Sequence, residues 1–126
     1  MRKMVERAIK RFSKVNLPPE IDISVKASLD KKGEDLVIMD MREQSSFTDI
    51  FIIVHGNSNR QNLAIYENIE QELRKDKIRP LSVEGRKNAE WILMDYGNFI
   101  VHIFSKRTRD YYSLEKLWGD CPKIIY

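Results

Sequence analysis

The 126-residue chain has one cysteine, two histidines, five glycines and four prolines. Each scarcity removes a class of protein. Cys121 has no partner for an intrachain disulfide, so stability must come from a packed core, and the usage fits a reducing compartment. One cysteine with His55 and His102 leaves no cluster at zinc-finger spacing. The longest uninterrupted apolar run, Ile50–Val54, is five residues, against the roughly 20 that cross a bilayer, so no membrane span is expected. Glycine and proline are too few for a low-complexity chain, and a hydrophobic content of 42% is too high for a disordered one. The length suits one domain.

A large charge of one sign is lacking too, and the net +3 is unevenly placed. Residues 1–15 hold Arg2, Lys3, Arg7, Lys10, Arg11 and Lys14 against Glu6 alone, while the remainder holds 16 basic and 18 acidic residues. The basic character therefore belongs to an N-terminal extension and the body is faintly acidic. A compact domain that gripped nucleic acid broadly would carry its own excess of Lys and Arg. The extension has Met4, Val5, Ala8, Ile9, Phe12 and Val15 at helical spacing, and its basic residues cover the other face. It is compatible with a solvated helix on the body, with a contact to RNA or an acidic membrane surface, and with a short transit segment.

Asn16-Leu17-Pro18-Pro19 ends that segment. A helix follows, with Ile21, Val25 and Leu29 on one face and Gly33 as its stop. Leu36–Met39 and Asp49–Val54 read as an antiparallel strand pair. Gly56-Asn57-Ser58 opens the longest helix, Ser58 to Lys75, with Leu63, Ile65, Tyr66, Ile69 and Leu73 as its apolar stripe. A short extended stretch at Leu81–Val83 precedes a hairpin of Trp91–Asp95 and Phe99–Phe104, turned by Tyr96-Gly97-Asn98. A last helix is expected from Arg107 to Trp118, ending at Gly119. The reading is a single α/β domain with a mixed sheet and flanking helices: extension 1–17, domain 18–121, tail 122–126.

Catalytic patterns are thin. Gly56-Asn57-Ser58 lacks the phosphate-loop lysine and the three-glycine dinucleotide pattern, which leaves Ser58 as a helix cap. A strand, Gly-Ser turn and helix also open the nucleotidyltransferase fold, but Asp95 stands alone, and no Asp-x-Asp follows to hold two metals. His102 could pair with Asp95 or Glu84 as a base, yet no nucleophile elbow accompanies it. No cofactor or metal site is expected. Trp91, Leu93 and Asp95 share one strand face and Tyr96 sits beside them in the turn. They form either core or the apolar centre and polar edge of a protein interface.

Six stretches in order resemble the ribosomal silencing factor RsfS family, also called YbeB or Iojap. They are Asp35-Leu-Val-Ile-Met-Asp40, Ser46-x-Thr48-Asp49, His55-Gly-Asn-Ser58 with Arg60-Gln61, Val83-Glu-Gly85 with Glu90-Trp91-Ile-Leu-Met-Asp95-Tyr-Gly97, Val101-His-Ile-Phe104, and Arg109-x-x-Tyr112-x-Leu-Glu115-x-Leu-Trp118. The resemblance covers about Pro19 to Asp120. It implies a fold similar to nucleotidyltransferases without their metal carboxylates, and a factor without enzymatic turnover. Such a factor binds the large ribosomal subunit through its L-fourteen-type protein, blocks joining of the small subunit and represses translation; organelle relatives assist large-subunit assembly. It also implies a partner-binding surface at Trp91, Leu93, Asp95 and Tyr96, self-association as a homodimer when free, and a cytoplasmic or organelle-matrix location. Charge adds the expectation that residues 1–15 reach ribosomal RNA.

Overall fold

The structure, a computed structural model, describes residues 12–126. Six strands form one sheet in the order β3-β4-β5-β2-β1-β6. They are β1 (Glu34–Asp40), β2 (Ile50–Gly56), β3 (Ser82–Glu84), β4 (Trp91–Asp95), β5 (Phe99–Ser105) and β6 (Lys123–Ile125). Helix α1 spans Pro19–Asp30, α2 Asn59–Lys75, α3 Lys106–Tyr112 and α4 Leu114–Leu117. The sheet is mixed, as expected: β2 and β5 run parallel, while β1–β2, β4–β5, β3–β4 and β1–β6 are antiparallel.

Helix α1 starts on Pro18-Pro19, where the absent N–H and fixed φ suit the first turn, and Glu20 and Asp22 lie there favourably to the helix dipole. Its buried face differs from the expected one. Leu29 is exposed, and Ser24, Ala27 and Ser28 are buried with Ile21 and Val25. The two serine hydroxyls donate to carbonyls one turn back, Glu20 and Ser24, each at 2.8 Å, so they are buried with their hydrogen bonds made. The left-handed residue after the helix is Lys32 (φ 61), not Gly33. Gly33 is required for space instead, since a Cβ there would stand 2.6 Å from Val54 Cγ2.

Helix α2 buries Asn62, Ile65, Tyr66, Ile69 and Leu73, close to the expected stripe. With α1 it covers one sheet face, where Leu36, Ile38, Ile50, Ile52, Val54, Ile92, Met94, Phe99, Val101 and Ile103 make the larger core. The strands buried on both sides read as continuous apolar runs rather than alternations, as Ile50–Val54 does.

Two elements depart from expectation. The last helix is broken: Ser113 adopts the left-handed conformation (φ 47, ψ 53), capping α3 and turning the chain into the one-turn α4. Residues 122–126, expected as a tail, carry β6, which extends the sheet beyond β1 through Val37–Ile125, Ile38–Ile124 and Met39–Lys123. Of the expected N-terminal helix, residues 1–11 lie outside the described residues. Phe12–Val15 are not helical and lead into a turn in which the Asn16 N–H donates to Ser13 O at 3.1 Å. The Phe12 ring lies under the Arg42 guanidinium, 3.9 Å from its centroid, and Arg42 is gripped by Asp40 through hydrogen bonds of 2.9 and 2.7 Å.

Candidate functional site

The second sheet face is built by the alternate residues of the same strands. Val37, Met39, Met41, Phe51, Ile53, Ile100, Phe104 and Cys121 form a smaller cluster, with Trp91, Leu93, Leu114 and Trp118 packed against it. Among the described residues no long helix lies on this side. Its cover among the described residues is the short α3–α4 segment, which leaves the face half open, and Phe47, Tyr111, Tyr112 and Leu117 are exposed around it.

Trp91 stands at its centre. Its ring lies 5.0 Å from Phe104 and 4.7 Å from Tyr112, and its Nε1–H donates to His102 Nδ1 at 3.1 Å. The indole is therefore both half-buried and pinned. His102 is buried beneath it, in edge contact with Phe51 at 4.6 Å, and this burial pushes its pKa down to about 3. A ring that neutral, with Nδ1 occupied as an acceptor, is a support for Trp91. It pairs with neither Asp95 nor Glu84 in the described hydrogen bonds. Leu93 lies opposite His102 in the β4–β5 register and is half-buried. Beside Trp91 a cavity of about 480 Å³ is lined by Asn88, Glu90, Trp91, Arg107, Thr108, Tyr111 and Tyr112.

Trp91, Leu93 and Asp95 thus share a face, as alternation demands. Asp95 turns its carboxylate to the hairpin, where Oδ1 accepts from the Gly97 N–H at 2.8 Å. Tyr96 does not join them. It is buried on the opposite face, in the larger core, its ring stacked on Phe99 at 4.7 Å and 5°. Burial raises its phenol pKa. Continuing the alternation one step past Asp95 places Tyr96 with Ile92 and Met94, so the sequence did contain that signal. Gly85, with φ 85, sets the approach of β4: a Cβ there would collide with the Trp91 carbonyl.

The turn before α2 is an internally satisfied cap. Ser58 Oγ accepts from the Gln61 N–H at 3.0 Å, and Gln61 Oε1 accepts from the N–H of Asn57, the residue before the cap, at 2.7 Å. Gln61 Nε2 further donates to the carbonyls of Lys31 and Lys32 at 3.1 and 2.9 Å, tying α2 to the end of α1. Among the described residues no group of three or more His, Cys, Asp or Glu is placed to hold a metal. No described helix is long and apolar enough to cross a membrane.

One cluster is absent from the sequence reading. Arg109 of α3 is 6% exposed and makes four described hydrogen bonds. It donates to His55 Nδ1 at 2.9 Å and to the Glu34 carbonyl at 3.4 Å, and forks onto both Glu115 carboxylate oxygens at 3.2 and 3.1 Å. On the other side of His55, Nε2 lies 3.8 Å from Glu34 and 3.9 Å from Asp35, brought there by the bulge in β1 between Glu34 and Val37. Burial and the adjacent guanidinium hold the His55 pKa below its usual range. The sequence offers no spacing signal for it, because the helix break and the sheet pairing that assemble it are tertiary.

Fold and site together define an α/β domain with a mixed six-stranded sheet, two helices covering one face and a half-open aromatic surface on the other. The family model described as "Ribosomal silencing factor during starvation", RsfS, matches residues 15–125, and the chain belongs to that family. It is 42% identical over 102 residues to the ribosomal silencing factor RsfS of Bacillus subtilis, spanning 81% of this chain and 86% of that one. A crystal structure of a Chromobacterium violaceum protein superposes with a TM-score of 0.77 at 32% identity, covering 79% of this chain and 83% of the other. A more distant relative, the mouse protein "Mitochondrial assembly of ribosomal large subunit protein 1", is 28% identical over 79% of this chain and 45% of its own length.

Proposed function

We propose that this protein is a cytoplasmic factor that docks on the large ribosomal subunit through its L-fourteen-type protein and represses translation by sterically blocking subunit joining. It acts by occupancy, without turnover. The observation that carries the reading is the half-open face around Trp91 in a chain of the RsfS family. Trp91 and Leu93 supply an apolar centre and Asp95 a polar edge, the arrangement from which protein interfaces gain affinity. When free, the factor also self-associates as a homodimer. A second reading, assistance to large-subunit assembly, is favoured by the name of the mouse relative. Both readings place the partner on the large subunit.

The test is co-sedimentation with separated subunits and with joined ribosomes. Binding to free large subunits, weak binding to joined ribosomes and a lower joined fraction in a reassociation assay are the expected results. Equal sedimentation with small subunits, or no change in joining, would refute the steric block.

The N-terminal extension adds a second contact in this proposal, with ribosomal RNA. Deleting residues 1–16 removes six basic side chains and Glu6. Affinity for whole subunits should fall and its salt dependence flatten, by roughly 0.7 to 0.9 in log–log slope for each phosphate that is no longer neutralised. Affinity for the isolated ribosomal protein should be unchanged. Equal salt slopes for full-length and shortened protein on whole subunits would remove the RNA contact.

A further inference from the structure

The α3–α4 segment is an unstable piece of chain by itself. Helix α3 has seven residues and α4 has four, both shorter than a helix that persists alone in water. Ser113 between them holds a left-handed conformation that is costly for any residue but glycine and persists only where its surroundings impose it. Yet two rings of the half-open face come from here: Tyr112 ends α3, 4.7 Å from the Trp91 ring, and Trp118 follows α4, 6.4 Å from Phe51 in the same cluster.

What spans the break is the Arg109 fork. Its guanidinium is anchored in the sheet by His55 and the Glu34 carbonyl, and reaches across Ser113 to grip Glu115. A planar guanidinium fixes the direction as well as the distance of a carboxylate, which an ammonium does not. We propose that Arg109, Glu115 and His55 are positioning residues: a brace, buried at Arg109 and His55, that sets the bend between α3 and α4 and thereby seats Tyr112 and Trp118 in the face that carries Trp91. This rests on the reading of that face as the ribosome-binding surface. Arg109 itself is too buried to meet a partner, so it acts through the rings it places.

The brace has a built-in acid sensitivity. His55 must present a bare Nδ1 to Arg109, and protonation would set an N–H against the guanidinium. The charged groups around the imidazole are Glu34 and Asp35 from β1, with Lys106, Arg109 and Asp110 from α3. Glu115 of α4 stands beyond Arg109.

Large-subunit binding by full-length Arg109→Lys, Glu115→Gln, His55→Asn and Trp91→Ala, each checked for folding, tests the proposal. Removing a charged hydrogen bond from the brace should weaken binding by about tenfold in Arg109→Lys and Glu115→Gln. Amide exchange should rise across residues 113–118 in both. Because the fold holds the His55 pKa below the usual histidine range, wild-type affinity should be lost in acid below that range rather than within it. Asparagine keeps an acceptor near the Nδ1 position and cannot protonate, so His55→Asn should hold its affinity there. Should Arg109→Lys fail to fold, Glu115→Gln and His55→Asn decide. Wild-type affinity in Glu115→Gln, where folded Trp91→Ala does not bind, overturns the brace and leaves the docking face standing. Wild-type affinity in Trp91→Ala as well overturns both. An acid loss in His55→Asn equal to that of the wild type overturns the part given to His55.

Discussion

Trp91→Ala is expected to lose large-subunit binding and some fold stability together, because Trp91 is half-buried on a face that is half core and half surface. As the interface centre it should cost about 2 kcal/mol or more of binding, roughly 30-fold. The stability cost should fall below the roughly 3–5 kcal/mol of a fully buried tryptophan, since one side of the indole is open. Trp91→Phe separates the two effects. It retains ring packing against Phe104 and Tyr112 but removes the Nε1–H donated to His102. That change should lower stability by about 1 kcal/mol and leave most of the binding intact. Urea unfolding beside subunit binding, below the melting range of every variant, distinguishes the cases. Wild-type affinity in folded Trp91→Ala would take the docking face away from this strand.

The parts of the fold legible in the sequence were those fixed by local chemistry. Ile50–Val54 read as an interior strand, Gly97 with Asn98 marked the hairpin, and Ser58 read as the cap of the long helix. The elements that were missed depend on tertiary contacts. Residues 107–118 have an unbroken helical apolar stripe, and nothing local in Tyr-Ser-Leu announces a left-handed serine; the bend comes from Arg109 holding Glu115. Lys123–Ile125 is three residues long and lies in a sequence with no strand alternation to read. It becomes a strand because β1 offers an open edge and the Tyr126 N–H finds the Leu36 carbonyl at 3.0 Å.

The geometry of the candidate site was legible to the same degree and for the same reason. Period-two alternation correctly set Trp91, Leu93 and Asp95 on one face, and the face without α1 and α2 is the one they occupy. Tyr96 was grouped with them by proximity in sequence, which matters less in a strand than parity. His55 and Arg109 are 54 residues apart, and only the parallel pairing of β2 with β5, which carries α3 off the end of β5, brings them together. Chemistry assembled across a sheet in this way has no spacing that a single sequence can display.

The second large effect expected is a loss of stability in acid that traces to His102. Burial among Phe51, Trp91 and Phe104 lowers its pKa from 6.5 to about 3. Between those values the unfolded chain binds a proton that the folded protein refuses. The contribution is therefore complete above pH 6.5 and is lost as the pH falls toward 3, at about 1.4 kcal/mol per unit. By pH 4 the loss should be on the order of 3 kcal/mol, a large share of the roughly 5–15 kcal/mol that stabilises a domain. His55, also held below its usual range, adds in the same direction. His102→Asn retains an acceptor for the Trp91 Nε1–H but has no proton to gain. It should be less stable than wild type at pH 7, from the cavity it leaves, and flatter with pH. Urea midpoints from pH 7 to pH 4 for the two proteins measure the difference, and carboxylate titration is common to both. Parallel pH profiles would mean that His102 takes its proton within the fold at no cost, and that the imidazole under Trp91 is open to water.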